Sequence, residues 1–203
     1  MKIVLASENK NKYYEIKKAV EPLGIQLIFG GDFEKPLQVE ETGKNYKENA
    51  LLKAKAWASS TGLSTMSDDS GLEVFALKGA PGINSARIVP GDDANRNSWL
   101  LNAMKEKTDR EARFVSCIAV FFPNFEKTVI CEKYCYGTLA TSVRGDAGFG
   151  YDPIFIPEGY DKTFAELGDN VKRKISHRAL AIKGIAEMLI PVIQYVTERT
   201  LDD

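Results

Sequence analysis

The stretch KIVLASENKNKYYEIKKAVEPLGIQLIF, residues 2–29, decides the fold. Its two ends, residues 2–6 and 25–29, are short apolar runs that predict buried β-strands. A helix is expected between them, because Asn9 can cap its start and Gly24 can end it. The apolar residues of this segment recur at helical spacing: Tyr13, Ile16, Val20 and Leu23. Strand, helix and strand within about 30 residues form a βαβ unit, which predicts a parallel sheet.

Helices and strands continue to alternate along the next part of the chain. A helix is expected over residues 45–61, ended by Gly62, and another over residues 93–106. A strand over residues 63–67 is expected to end in the turn-forming sequence Asp68-Asp69-Ser70-Gly71. This alternation is typical of an α/β protein.

The second half of the chain predicts a hairpin and a long final helix. Residues 112–122 and 127–138 are rich in β-branched and aromatic residues and flank a turn at Pro123-Asn124, which indicates a long antiparallel hairpin. The final helix is expected to begin near Ser176, with a kink or restart at Pro191. Its buried stripe is Ile185, Met188, Leu189, Val192, Ile193 and Val196.

Length and composition favour one folded domain. The chain has 203 residues, of which 44% are hydrophobic, enough to fill one sizeable core and to exclude a disordered or fibrous protein. We therefore predict a single domain over residues 1–203, made of two lobes. Its fold class is α/β, with a mixed central sheet, flanking helices, a long hairpin lobe and a substrate cleft between the lobes.

Charge and cysteine content exclude several classes of protein. The 27 Lys and Arg residues balance 28 Asp and Glu residues, whereas proteins that bind duplex nucleic acid carry a basic excess. No apolar run reaches the roughly 18–20 residues of a transmembrane helix, and the early charges are not typical of a signal peptide. Cys117, Cys131 and Cys135 form no CxxC pair, which favours buried thiols in a reducing cytoplasm.

Two segments have the chemistry of a phosphate or metal site. Ser7-Glu8-Asn9-Lys10-Asn11-Lys12 lies at a predicted helix start, where N–H groups and lysines favour an anion; the alternative is an Asn-capped surface turn. Asp68-Asp69-Ser70 follows a predicted strand, and adjacent carboxylates suit a hard cation such as Mg²⁺. The alternative there is an Asx turn in which one Asp caps the bend.

Two later segments suit a flat base and an anion. In Gly148-Phe149-Gly150-Tyr151-Asp152-Pro153, glycines alternate with aromatic residues that can lie against a base, or that simply pack a turn. The segment from Lys172 to Arg178 places basic residues at the start of the last helix, where they oppose its dipole unless an anion binds. It includes His177, the one histidine of the chain.

Two single residues complete the candidates. Lys53 lies on the helix after an acidic loop, Glu40-Glu41-Thr42-Gly43, and Arg87 follows a Pro-Gly turn; each is otherwise a solvated or ion-paired surface residue. Carboxylates for a metal, cations for a polyphosphate and an aromatic loop for a base together indicate a nucleoside triphosphate site.

Seven stretches carry a family resemblance and occur in family order: Val39–Gly43, Glu48–Ala54, Ser67–Val74, Gly79–Arg87, Gly148–Ile156, Lys162–Leu167 and Ile175–Ala179. In these stretches the chain resembles the inosine triphosphate pyrophosphatase family, specifically its bacterial branch that acts on non-canonical purine nucleotides. The resemblance implies a homodimeric α/β enzyme that hydrolyses ITP, dITP or XTP to the monophosphate and pyrophosphate, using Mg²⁺. It also implies substrate binding in a cleft between two lobes.

The resemblance also implies roles for individual residues. Asp69 would be the general base and a metal ligand, with Glu40, or otherwise its neighbour Glu41, as the second metal ligand. The triphosphate would bind to Ser7, Glu8, Asn9, Lys10, Asn11, Lys12, Lys53 and Ser70. The purine would bind to Phe149, Gly150, Tyr151, Asp152, Lys172, His177 and Arg178. The family has a glycine where this chain has Glu8, which places a negative charge near the phosphates.

Three other functions are less consistent with the sequence. A Maf-like pyrophosphatase for modified pyrimidine nucleotides is disfavoured by the Ser176-His177-Arg178 segment and the Phe149–Pro153 loop. A catalytically silent nucleotide-binding regulator would not need Asp69, Glu40 and Lys53 together. A nucleic-acid-binding module is disfavoured by the balanced charge.

Overall fold

The computed structural model describes residues 1–199, and the side chains of residues 1–194. The fold is α/β, with six strands in one sheet of order β2-β1-β3-β4-β5-β6. The sheet is mixed, because β1 pairs with β2 in parallel and β5 pairs with β6 in antiparallel. The predicted fold class is therefore confirmed.

The opening βαβ unit forms as predicted. Strand β1 (Lys2–Leu5) and strand β2 (Gln26–Phe29) pair in parallel, with Lys2 opposite Gln26 and Leu5 opposite Phe29. Helix α1 (Lys10–Val20) connects them, and the Asn9 side chain accepts the Lys12 N–H at 3.1 Å to cap its start.

Helix α2 and strand β3 follow. Helix α2 (Tyr46–Thr61) begins after the cap Asn45 and ends at Gly62, which adopts a left-handed φ of +69°. Strand β3 (Thr65–Val74) lies parallel to β1, with Leu5 opposite Met66.

The predicted turn at Asp68-Asp69-Ser70-Gly71 was wrong, since β3 runs through it without a break. An Asx turn needs an Asp side chain to accept a backbone N–H. Here Lys12 Nζ lies 2.8 Å from Asp68 Oδ2 and Lys53 Nζ lies 3.0 Å from Asp69 Oδ1. The lysines thus engage both carboxylates, and the backbone stays extended.

Helix α3 and the hairpin agree with the sequence to within a few residues. Helix α3 (Asp93–Ala103) begins with a capping box between Asp92 and Asn95 and ends three residues before the predicted Glu106. Strands β4 (Glu111–Phe122) and β5 (Lys127–Leu139) are neighbours in the sheet and are joined through Pro123–Phe125.

The C-terminal part contains one short strand and three helices. These are β6 (Phe155–Pro157), α4 (Phe164–Leu167), α5 (Asp169–Ile175) and α6 (His177–Arg199). Helix α6 begins one residue after the predicted Ser176 and continues through Pro191 without a restart. Of its predicted buried stripe, Ile185 and Leu189 are buried, but Met188 is 45% exposed, and Val196 lies outside the residues whose side chains the structure describes. None of the helices within residues 1–199 is both long and apolar enough to cross a membrane.

The chain divides into two compact units, each with its own core. Within the described residues, unit 1 comprises residues 1–69, 117–132 and 181–199; unit 2 comprises residues 70–116 and 133–180. The unit 1 core includes Ile3, Leu5, Ile16, Met66, Ile118 and Ile185. The unit 2 core includes Leu72, Leu100, Phe114, Phe155 and Phe164. Each such side chain contributes roughly 1.5–3 kcal/mol on burial, so both cores are rigid supports for nearby polar groups.

Candidate active site

Unit 1 contains a cluster of acidic and lysine side chains around the middle of β3. We call Lys12, Glu41, Lys53, Asp68 and Asp69 the acid–lysine cluster. The ammonium of Lys53 donates to Glu41 Oε1 at 2.6 Å, to Asp69 Oδ1 at 3.0 Å and to the Asp68 carbonyl at 3.2 Å. The ammonium of Lys12 lies 2.8 Å from Asp68 Oδ2. Three carboxylates thus share two ammonium groups.

The surroundings of Asp69 and Lys53 change the proton affinity of both groups. Burial raises the pKa of the Asp69 carboxyl above its usual range; the Lys53 ammonium opposes this rise, and the Glu41 carboxylate adds to it. Burial alone would lower the pKa of Lys53, but the charges of Asp69 and Glu41 outweigh it, so the pKa of Lys53 is raised. Lys53 stays charged, and Asp69 is a stronger proton acceptor than an ordinary aspartate.

Asn49 connects the acidic loop to Asp69, a role that the sequence analysis missed. This buried side chain accepts the Gly43 N–H at 2.8 Å through Oδ1 and donates to Asp69 Oδ2 at 3.3 Å through Nδ2. A Cβ on Gly43 would lie 2.6 Å from Asn49 Oδ1, so this contact requires glycine. Asn49 and Lys53 are four residues apart on α2 and share a helix face, which is the sequence signal for this role.

The two acidic-loop candidates lie in different environments. Glu40 is exposed, whereas Glu41 is half-buried and bonded to Lys53. Among the described residues, no group of three or more His, Cys, Asp and Glu side chains is placed to hold a metal ion. The structure therefore brings Glu41, rather than Glu40, into the acid–lysine cluster.

The predicted phosphate segment forms the start of α1. Ser7 Oγ accepts the Asn9 N–H at 3.1 Å, and Glu8 accepts a hydrogen bond from Gln38 Nε2 at 2.5 Å. Lys10 and Asn11 are exposed. Of the two lysines in the segment, Lys12 is the one that reaches the acid–lysine cluster.

Unit 2 contains a second cluster, in which cations surround an aromatic ring. Lys172 Nζ lies 4.1 Å and Arg178 Cζ 5.5 Å from the centre of the Phe149 ring. Lys172 Nζ also donates to Asp152 Oδ2 at 2.6 Å, and the Phe149 N–H donates to the same oxygen at 2.9 Å. We call Phe149, Asp152, Lys172 and Arg178 the ring–cation cluster.

Burial also acts on Asp152. It raises the pKa of this carboxyl, while the Lys172 ammonium and the Phe149 N–H lower it. Gly148 makes room for the carboxylate, because a Cβ at its φ of +83° would lie 2.2 Å from Asp152 Oδ2.

Of the remaining predicted residues of unit 2, Tyr151, His177 and Arg178 are buried and make specific contacts. The His177 ring stacks on Phe114 with centroids 4.6 Å apart and an interplanar angle of 11°. Arg178 Nη2 donates to Ser70 Oγ at 3.1 Å. The Tyr151 hydroxyl donates to the Ser85 carbonyl at 2.9 Å. Arg87 is exposed and donates to Asn84 Oδ1 at 3.2 Å.

Helix α3 contributes two side chains that the sequence analysis did not select. Asp93 Oδ2 accepts the Gly150 N–H at 2.6 Å, and Asn97 Nδ2 donates to the Gly150 carbonyl at 2.9 Å. The only sequence signal was their spacing of four residues on a predicted helix, which did not identify the loop as their partner.

Comparisons with known proteins show which proteins the chain resembles. The model of the Ham1 family matches residues 3–188. The dITP/XTP pyrophosphatase of Desulforamulus reducens is 43% identical over 193 residues, 93% of this chain and 96% of that protein. The Ham1 protein structure from Staphylococcus aureus matches with a TM-score of 0.85 at 39% identity, over 93% of this chain and 98% of that one. The HAM1 structure from Coxiella burnetii matches with a TM-score of 0.86 and the same identity and coverage.

These matches cover nearly the whole chain and confirm the resemblance found in the sequence. The chain belongs to the Ham1 family.

Proposed function

We propose that the chain hydrolyses dITP, XTP and ITP to the monophosphate and pyrophosphate, which removes deaminated purines from the nucleotide pool. One observation carries the proposal: a buried carboxylate of raised pKa, Asp69, lies 3.0 Å from the charged Lys53 in a Ham1-family chain. A proton acceptor beside fixed positive charge suits phosphoryl hydrolysis, which depends on positioning and charge neutralisation. The pyrophosphatase named above is 43% identical to this chain.

Unit 1 supplies the phosphate chemistry. Lys12 and Lys53 bind carboxylates in the structure, and a phosphate offers them stronger anionic acceptors. The exposed Lys10 and the segment that leads into α1 from Ser7 complete the triphosphate ligands of unit 1, with Glu8, Asn9 and Asn11 as further segment members. Ser70, the first residue of unit 2, adds its hydroxyl. Asp69 accepts the proton of the attacking water as general base.

The donor set of unit 1 fits Mg²⁺. This ion takes hard oxygen ligands and commonly binds through one or two carboxylates, with water and substrate phosphates filling the other positions. Asp69 and Glu40 would hold it, with Glu41 as the alternative to Glu40 because its carboxylate lies in the acid–lysine cluster. When bound, Mg²⁺ neutralises phosphate charge and increases the acidity of water.

Unit 2 supplies the base recognition. The Phe149 ring stacks on a purine, and the cations of Lys172 and Arg178 donate to the keto group of hypoxanthine or xanthine. Gly150, Tyr151, Asp152 and His177 shape the same site. Adenine presents an amino group instead of a keto group, which leaves these donors without partners at a cost of about 1–3 kcal/mol each. Both units together form one pyrophosphatase domain.

The assembly is a homodimer, supported by exposed aromatic side chains in unit 2. Phe75, Tyr136 and Tyr160 are 41%, 46% and 42% exposed and line a groove of about 400 Å³. Exposed aromatic residues grouped in this way are typical of protein interfaces.

The compartment is the reducing cytoplasm, supported by the state of the cysteines. Cys117, Cys131 and Cys135 are buried thiols. Burial raises the pKa of Cys117 and of Cys135 to about 12, so these thiols are poor partners for disulfide exchange.

A pyrophosphate-release assay tests the function. We expect release from ITP and XTP, little release from ATP, dependence on Mg²⁺, and loss of at least about a hundredfold in kcat for Asp69→Asn. Release from modified pyrimidine nucleotides alone would favour a Maf-like enzyme. Tight Mg²⁺-dependent binding without release would leave a nucleotide-binding regulator.

A further inference from the structure

One face of α3 holds both backbone polar groups of Gly150. Asp93 accepts the Gly150 N–H at 2.6 Å, and Asn97 donates to the Gly150 carbonyl at 2.9 Å. The two side chains are four residues apart, and residues at this spacing lie above one another on a helix. Both backbone polar groups of Gly150 are therefore bonded to side chains of one helix, α3.

These contacts replace the hydrogen bonds that regular structure would supply. Gly150 has a left-handed φ of +65° and lies outside every helix and strand of the described chain. Its N–H and carbonyl need partners from elsewhere, because backbone polar groups left without a hydrogen bond are costly when shielded from water. Asp93 and Asn97 are those partners.

The environment of Asn97 shows what its side chain contributes. The residue is 4% exposed, and its Oδ1 has no hydrogen-bond partner among the described residues, whereas Nδ2 bonds to Gly150. A buried amide with an unsatisfied oxygen is a poor choice for stability alone, since an apolar side chain would avoid that cost. The contact that the asparagine does make is the one to Gly150.

Holding Gly150 places the residues on either side of it. Phe149 precedes it and lies 4.1 Å from Lys172 Nζ, and its own N–H is bonded to Asp152. Tyr151 follows it and is anchored to Ser85. Selection between bases requires side chains held within roughly 0.5 Å of their productive positions. A shift of Gly150 would move the Phe149 ring relative to the Lys172 and Arg178 cations.

We propose that Asp93 and Asn97 are positioning residues that set the base selectivity of the enzyme by fixing Gly150, and through it Phe149. This inference rests on the proposed role of the Phe149–Asp152 loop in binding the purine.

The test compares kcat/KM for ITP and ATP in Asn97→Asp and Asp93→Ala. Asn97→Asp keeps the shape of the side chain but cannot donate to the Gly150 carbonyl, and Asp93→Ala removes the acceptor for the Gly150 N–H. We expect the ITP-to-ATP ratio of kcat/KM to fall at least about tenfold in each variant, mainly through a higher KM for ITP.

Asn95→Ala is the matched control on the same helix. Asn95 belongs to the capping box with Asp92 and has no bond to Gly150, so this variant weakens α3 while the selectivity ratio stays unchanged. If kcat/KM for ITP and for ATP falls by the same factor in the test variants, or does not fall, the ratio is unchanged and the proposal is overturned. If Asn97→Asp does not fold, Asp93→Ala alone tests the proposal, because Asp93 is only half-buried and its replacement is better tolerated.

The variant Phe149→Ala tests the proposed base site separately from the positioning role of the α3 side chains. The ITP-to-ATP ratio of kcat/KM could fall in Phe149→Ala but stay unchanged in both α3 variants. That result overturns the positioning role and leaves the proposed base site intact. An unchanged ratio in Phe149→Ala overturns the role of the loop, and the positioning role with it.

Discussion

Asp69 and Asp152 show how similar residues acquire different tasks from their neighbours. Both are buried, both bond to a lysine, and burial raises the pKa of both. The Glu41 carboxylate adds like-charge repulsion at Asp69, whereas the Phe149 N–H stabilises the charged form of Asp152. The neighbours of Asp69 thus fit its proposed role as a proton acceptor, and those of Asp152 fit a carboxylate that holds Lys172 in place.

The raised pKa of Asp69 predicts that the free energy of unfolding falls over a defined range of pH. The folded pKa exceeds the unfolded value of about 3.9, so the native state loses stability as the pH rises from about 4 through the folded pKa. In Asp69→Asn this loss is absent, while Lys53 keeps Glu41 as a partner at 2.6 Å. We expect the Tm of Asp69→Asn minus the Tm of the wild type to increase as the pH rises. Each kcal/mol of stability that the wild type loses corresponds to about 2–4 °C in Tm.

Calorimetry in metal-free buffer at about pH 4.5 and about pH 8 measures this difference. A Tm difference between variant and wild type that is the same at both pH values would show that the ionisation of Asp69 costs the fold nothing.

Individual elements were predictable where local signals were strong. The βαβ unit, the hairpin and the start of α6 carry clear periodicity, caps and turns, and they form within a few residues of the predicted bounds. The path of β3 was not predictable, because the lysines that engage Asp68 and Asp69 come from α1 and α2. Asn49, Asp93 and Asn97 were missed for the same reason: their partners are distant in sequence.

The Gly148–Pro153 loop offers a test of packing at the level of an element. Gly148→Ala places a methyl group 2.2 Å from Asp152 Oδ2 at a φ of +83°. We expect a loss of stability clearly above the roughly 1–2 kcal/mol that a left-handed alanine costs, together with a higher KM for ITP, because Asp152 must move.

Gly62→Ala is the matched control, since Gly62 has a φ of +69° and no atom within 4 Å of its Cβ position. Chemical denaturation and steady-state kinetics compare the two variants. Equal losses of stability would mean that the collision with Asp152 is relieved at no cost.

At the scale of the whole molecule, the proposed chemistry follows the division into two units. The acid–lysine cluster belongs to unit 1 and the ring–cation cluster to unit 2, while Asp69 and Ser70 are consecutive residues of β3. Sequence motifs located the residues of both clusters, but the pairing of charges within each cluster required the structure.

The proposed dimer predicts an effect of charge on the aromatic groove of unit 2. Phe75→Glu introduces a charge at a side chain that is 41% exposed, and we expect it to shift the protein to monomers in sedimentation velocity. The matched variant Phe125→Glu changes a phenylalanine of unit 1 that is 40% exposed and should leave the dimer intact. A wild-type protein that sediments as a monomer, or a Phe75→Glu variant that remains dimeric, would contradict this use of the groove.

The buried cysteines have a consequence for the conditions in which such an enzyme works. Oxidants convert accessible thiolates to sulfenic acids, and nitrosating reagents convert them to nitrosothiols. Cys117 and Cys135, with a pKa of about 12, and the buried Cys131 offer those reagents little to attack. Thiol oxidation and nitrosation should therefore leave these three side chains largely unmodified in the folded protein.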